Sequence, residues 1–199
     1  MSERLEVFKV EQKGRDPELA KFSEYFPNGE IKSVLPGEIP ADILKFFEER
    51  SKNWRFNDYQ PEDFENLFEI THGPGDKTYV AEQTKDIGGE IEHLFYLADE
   101  LNQKMAGLCE IKKVESDEDF FNDKPYASEG ETFGSNRLQG LSRRRHFIGN
   151  ALCHMRYGLP LYSDTVLTPG GKAVWESLVE KGEARKFMEG EFERYVVAE

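Results

Sequence analysis

Cysteine is scarce in this chain: Cys109 and Cys153 are the only two in 199 residues. Two thiols cannot supply the disulfide framework of a small secreted domain, so the expectation is a pair of reduced cysteines in a cytoplasmic protein. Long apolar runs are missing too. None approaches the roughly 18 residues of a membrane span, and Met1-Ser2-Glu3-Arg4 opens polar, without the apolar segment of a signal peptide. The four histidines, His72, His93, His146 and His154, are scattered with no zinc-site spacing, so no metal is expected. Positive charge is in deficit: 26 Lys and Arg stand against 39 Asp and Glu, for a formal net charge of -13. Such a chain repels a phosphate backbone over most of its surface, which argues against nucleic acid as a general partner.

What is present suits one folded domain spanning 1–199. Hydrophobic residues make up 38% of the chain, with 15 phenylalanines among them, enough for a sizeable core. Rough alternation over residues 4–12 predicts a strand. Residues 13–39 are rich in Gly and Pro and read as turns, with a short helix from Pro17 to Glu24. Pro40 to Asn53 predicts a helix with Ile43, Leu44, Phe46 and Phe47 on its apolar stripe, and Pro61 to Glu69 predicts another. Residues 13–70 therefore form a helical N-terminal part of unassigned role. Trp54 and Phe56, just after the first of those helices, read as core.

Further on the period becomes that of strands: residues 79–83, 94–98 and 105–114, the last two joined around Asn102-Gln103. Residues 115–131, with Asp117-Glu118-Asp119, read as an acidic loop. Near the end, Leu159 to Ser163 is a short strand. A helix follows, with Thr168 as N-cap, Pro169 in its first turn and Gly182 just beyond it. Two closing strands flank Glu189-Gly190. The resulting fold class is α/β, with a mixed, mostly antiparallel central sheet flanked by helices.

One window breaks the acidic pattern. From Thr132 to Ser163 there is neither Asp, Glu nor Lys, but there are five arginines: Arg137, Arg143, Arg144, Arg145 and Arg156. The guanidinium is a planar fork suited to phosphate or carboxylate. Within the window, Arg143-Arg144-Arg145-His146-Phe147-Ile148-Gly149-Asn150-Ala151 reads as a loop of small residues opening a helix, whose unpaired backbone N–H groups attract an anion. Arginine at a helix start opposes the dipole unless an anion is bound there.

These residues resemble the acetyl-CoA loop of the GNAT acetyltransferases, especially short phage-like and bacterial members, whose pattern is Arg/Gln-x-x-Gly-x-Gly/Ala at a helix start. Gly149 and Ala151 take the small-residue places, and His146 stands where the family has arginine or glutamine. The order strand, helix and two strands after the loop is similar as well, as is Met105-Ala106-Gly107-Leu108-Cys109-Glu110-Ile111 to a central strand of that family. The resemblance covers roughly residues 78–199. It implies acetyl-CoA as cofactor, held by residues Arg143 to Ala151 and between two splayed strands, and transfer of its acetyl group to an amine on a small molecule, a protein lysine or an N-terminus. The family's tyrosine acid is replaced by Trp175, leaving Tyr162 or Tyr157 for that role, with Asp164 or Glu110 as base. Two other readings remain open from the residues alone: a non-enzymatic acidic interaction protein, such as a phage or mobile-element factor blocking a host nucleic-acid enzyme, and a small RNA- or nucleotide-binding module using Arg143 to Arg145.

Overall fold

The computed structural model describes residues 17–53, 64–87, 90–113, 124–132 and 140–198. The expected strand at 4–12, Trp54, Phe56 and Asp117 to Asp119 lie outside the described residues. Four α-helices are described: α1 (Pro17–Tyr25), α2 (Ala41–Asn53), α3 (Leu141–Tyr157) and α4 (Pro169–Glu180). Nine strands form one mixed sheet: β1 (Glu30–Ser33), β2 (Asn66–Gly73), β3 (Asp76–Ile87), β4 (Glu90–Leu101), β5 (Lys104–Lys112), β6 (Tyr126–Thr132), β7 (Tyr162–Ser163), β8 (Ala184–Glu189) and β9 (Phe192–Val197). Their order is β1-β2-β3-β4-β5-β6-β7-β9-β8. Every neighbouring pair is antiparallel except β6 and β7, which run parallel.

Helices cover both sides of the sheet. On one side α1, α3 and α4 bury Phe22, Ile148, Leu152, Trp175 and Leu178 against Val80, Phe95, Leu97 and Ile111. On the other, Ile43 and Phe47 of α2 pack on Leu67, Tyr79, Tyr96 and Ala98. Strands β3 and β4 therefore have both faces buried, which the period-two alternation of Tyr79/Val80 and Tyr96/Leu97 between the two clusters makes explicit. No described helix is long and apolar enough to cross a membrane.

Several expectations hold. Thr168 caps α4 by accepting from the Gly171 N–H, and Gly182 takes a positive φ just past its end. Asn102 and Gln103 have φ of 53° and 63°, the two left-handed residues of a tight hairpin turn between β4 and β5. Three expectations fail. Residues 66–69, assigned to a helix, lie in strand β2. Leu67 packs on one face and Phe68 on the other, and burial of both faces had erased the alternation that marks a strand. The loop assigned to 115–131 ends early, because Tyr126 to Thr132 form β6 despite two glutamates; its register with β5 supplies the pairing that composition hid. Lastly, residues 30–33 pair with β2 as strand β1 rather than forming turns.

Candidate functional site

Helix α3 begins at Leu141, so Arg143 to Ala151 are not a loop opening a helix but the body of one. Their backbone N–H groups lie past the first turn's start or inside the helix ladder, and Phe147 to Ala151 cannot offer theirs to an anion. Gly149 has a different purpose. A Cβ there would come within 2.3 Å of Ile111 Cδ1 and 3.1 Å of Leu161 Cδ2, so its lack of a side chain lets α3 sit directly on the sheet. Ile148 and Ala151 are core. Asn150 is buried and its Oδ1 accepts the Leu161 N–H at 2.9 Å.

The arginines find their anions inside the protein. Strands β3 and β4 present to α3 an apolar middle (Val80, Phe95, Leu97) with carboxylates at either end. At one end Asp99 lies fully buried. Arg145 Nε stands 3.0 Å from its Oδ2, Arg144 Nη2 lies 3.2 Å from Oδ1, and the Thr78 hydroxyl donates to Oδ1 at 2.7 Å. Arg144 also grips Asp76 with Nη1, at 2.9 and 2.8 Å. Arg145 is buried and donates to the Leu108 carbonyl. Burial raises the proton affinity of Asp99, against the pull of Arg145, the Thr78 hydroxyl and Arg144.

At the other end Glu82 is equally buried. Burial would raise its pKa, but contacts with His93, Arg156 and Asn66 outweigh burial and lower it. Arg156 is bidentate on it, with Nε and Nη2 each at 2.6 Å; His93 Nδ1 lies at 2.6 Å and Asn66 Nδ2 at 2.7 Å. Arg156 continues to Glu18 on α1. The arginine-rich helix is thus clamped to the acidic strands near both its termini.

Arg143 is the exception. It points outward, 49% exposed, over the Phe147 ring at 5.3 Å, and pairs with Glu183 in the turn before β8. His146 is packed edge-on to Trp175, and its Nδ1 lies 2.6 Å from the Ser142 carbonyl. Burial lowers its pKa to about 4.

Two features of the backbone make an opening. Strands β6 and β7 share only two register pairs, Tyr126↔Tyr162 and Ala127↔Ser163. Past them β6 runs on for residues 128–132 with β5 as its partner among the described residues, while the chain leaves β7 at Asp164. Opposite this divergence β6 carries a bulge, because Ile111 pairs with Ala127 and Glu110 with Glu129. The second feature is the start of α3. Its N-cap is Gly140, at φ 98°, a conformation that favours glycine; it has no side chain to cap the first-turn N–H groups, and a Cβ there would meet nothing within 4 Å. A cavity of about 520 Å³ adjoins it, lined in part by Phe26, His72, Gly140, Arg143, Phe147 and Glu183.

The two residues expected to be catalytic sit beside the divergence. Tyr162 is half-buried, with Phe187 edge-on at 6.0 Å and the cations of Lys124 and Arg194 over its ring at 5.4 and 5.6 Å. Asp164 Oδ1 accepts the Thr165 and Val166 N–H groups, a local turn cap. Glu110 is buried on the sheet face opposite α3, with Lys112 Nζ at 3.5 Å. Tyr157 is tied away from this region, its hydroxyl donating to the His93 carbonyl. The described residues contain no cluster of potential metal ligands.

The glycine at the start of α3 is Gly140, which sequence reading passed over in favour of Gly149; it too stands three residues after an arginine, in Arg137-Leu138-Gln139-Gly140, although residues 137–139 lie outside the described ones. No family model matches the chain, and no curated protein matches it.

Proposed function

We propose that this protein is an acetyl-CoA-dependent N-acetyltransferase whose cofactor lies across the β6/β7 divergence, with its pyrophosphate at the first turn of α3. One observation carries the reading: the only parallel pair among the described residues separates after two register pairs, and the next described element in the chain is a helix whose N-cap is an open glycine. A separating parallel pair leaves strand-edge groups free for an amide-bearing arm, and the uncapped helix start complements a diphosphate. Arg137 and Gly140 match the first two fixed places of the family pattern there, with Ser142 in its last place.

Acetyl-CoA supplies an acyl group activated as a thioester. In the transfer an acceptor amine forms the C–N bond as the C–S bond breaks; the amine gives up a proton and the thiol leaves protonated. The protein's part is mainly placement. Gly140 and the N–H groups of Leu141 and Ser142 hold the diphosphate, and β6 orients the arm. Tyr162, in one of the two register pairs before the divergence, serves as proton donor. Asp164 and Glu110 remain the two carboxylates for the base: Asp164 caps its own turn, and Glu110 lies on the sheet face opposite α3 with Lys112 beside it. The acidic chain favours a cationic acceptor, such as a polyamine or a lysine-bearing protein. The rival reading, an acidic surface acting as a nucleic-acid mimic, draws on outward acids, and Glu69, Glu82, Asp99 and Glu110 are buried and take no part in such a surface.

Calorimetric titration of the full chain with acetyl-CoA tests this reading. Saturable binding at micromolar ligand is expected, and no heat at millimolar ligand sinks it.

A further inference from the structure

The four described arginines of the acid-free window are not equally free to meet a ligand. Arg145 and Arg156 hold the buried Asp99 and Glu82, and Arg144 holds Asp99 together with Asp76. Taking any of them away leaves a buried carboxylate with fewer partners. Arg143 has no such duty. Its partner Glu183 is partly exposed and the pair faces solvent, where an ion pair contributes little and exchanges readily.

This exchangeable pair borders the cavity beside α3. The cavity runs along one helix face, Gly140, Arg143, Arg144 and Phe147, and is closed by Tyr25 and Phe26 at the end of α1. Its volume, about 520 Å³, suits a nucleotide-sized group. It combines aromatic rings with guanidinium in a chain whose net charge is -13, so its polarity runs against the rest of the surface. Gly140 belongs both to the cavity wall and to the start of α3. A ligand with a diphosphate at that start therefore reaches the cavity with its next group.

We infer that this cavity is the subsite for the 3′-phosphoadenosine end of coenzyme A, with Arg143 binding the 3′-phosphate and Glu183 the internal carboxylate that the phosphate displaces. The inference rests on the acetyl-CoA reading. Phe147 braces the guanidinium from below and offers the base a ring edge. Glu183 keeps Arg143 in place when no ligand is bound and competes with the phosphate when one is. A phosphate carries more charge than a carboxylate and has three acceptor oxygens, so it is the stronger partner for the same fork.

The test compares coenzyme A with dephospho-coenzyme A, which lacks only the 3′-phosphate, by calorimetry on the full chain. The unaltered protein is expected to bind coenzyme A about tenfold more tightly. Arg143→Ala should abolish that preference while leaving dephospho-coenzyme A binding within about twofold. Glu183→Gln should widen the preference, since it frees Arg143 and removes a like charge. Equal affinities in the unaltered protein, or a preference that survives Arg143→Ala, overturn the inference and leave the acetyl-CoA reading intact. If neither ligand binds, that reading falls and takes the subsite with it.

Discussion

Arg145 and Arg143 stand two positions apart on α3 and meet opposite worlds. The sheet-facing side of the helix puts Arg145, and with it Arg144 and Arg156, against carboxylates that are wholly or largely enclosed. The outward side leaves Arg143 at a half-exposed pair beside an open cavity. A cluster of arginines in an acidic chain looks like a site for an outside anion. Here three of the four described arginines neutralise the chain's own buried or half-buried acids, and Arg143 alone of the four pairs at a half-exposed site. Which arginine does which is decided by burial, since an enclosed charge without a partner costs several kcal/mol and an exposed one costs almost nothing.

The sharpest way to break this contrast is Arg145→Met. It leaves Asp99 enclosed with a weaker set of partners, and urea unfolding should show a loss of about 3–5 kcal/mol. A loss below about 1 kcal/mol would mean that the sheet-facing clamp is not structural. A middle-sized effect lies where the two sides meet. Burial and the nearby Arg144 lower the His72 pKa to about 4, and burial does the same for His146. Both favour the neutral ring in the folded state, so their contribution is present above the unfolded value near 6.5 and lost as pH falls toward about 4. Urea midpoints should therefore decline over that interval, and the decline should be shallower in His146→Gln; an unchanged slope would count against the assignment. The smallest effect belongs to Arg143→Ala, which should alter stability by less than about 1 kcal/mol whatever it does to ligand binding.

How much of this was legible beforehand depends on whether the signal was local. Thr168-Pro169 and Gly182 fixed α4 from both ends because capping is written within a few residues. The Asn102-Gln103 turn was readable for the same reason. Strand β2 was not: its two apolar faces are sorted by α1 and α2, which arrive from elsewhere in the chain. The site divided in the same way. That the 132–163 window was chemically special could be read from its charges. That Arg144, Arg145 and Arg156 had internal partners could not, because Asp76, Glu82 and Asp99 lie 45 to 74 positions away. The start of α3 was misplaced by several residues because two glycines, Gly140 and Gly149, each fitted a helix-opening pattern, and only packing against Ile111 and Leu161 tells them apart.

Strand β7 has a mechanical consequence. It is two residues long, yet in the strand order it alone stands between the six antiparallel strands β1 to β6 and the β8/β9 hairpin among the described residues. Side chains reinforce it: Arg194 donates twice to the Ser163 carbonyl, Ser163 Oγ receives the Tyr195 N–H, and Asn150 reaches down from α3 to the Leu161 N–H. A joint riveted by side chains, rather than zipped by a ladder, has a stiffness that single substitutions can adjust. Its compliance is therefore separable from the strength of the two plates it connects.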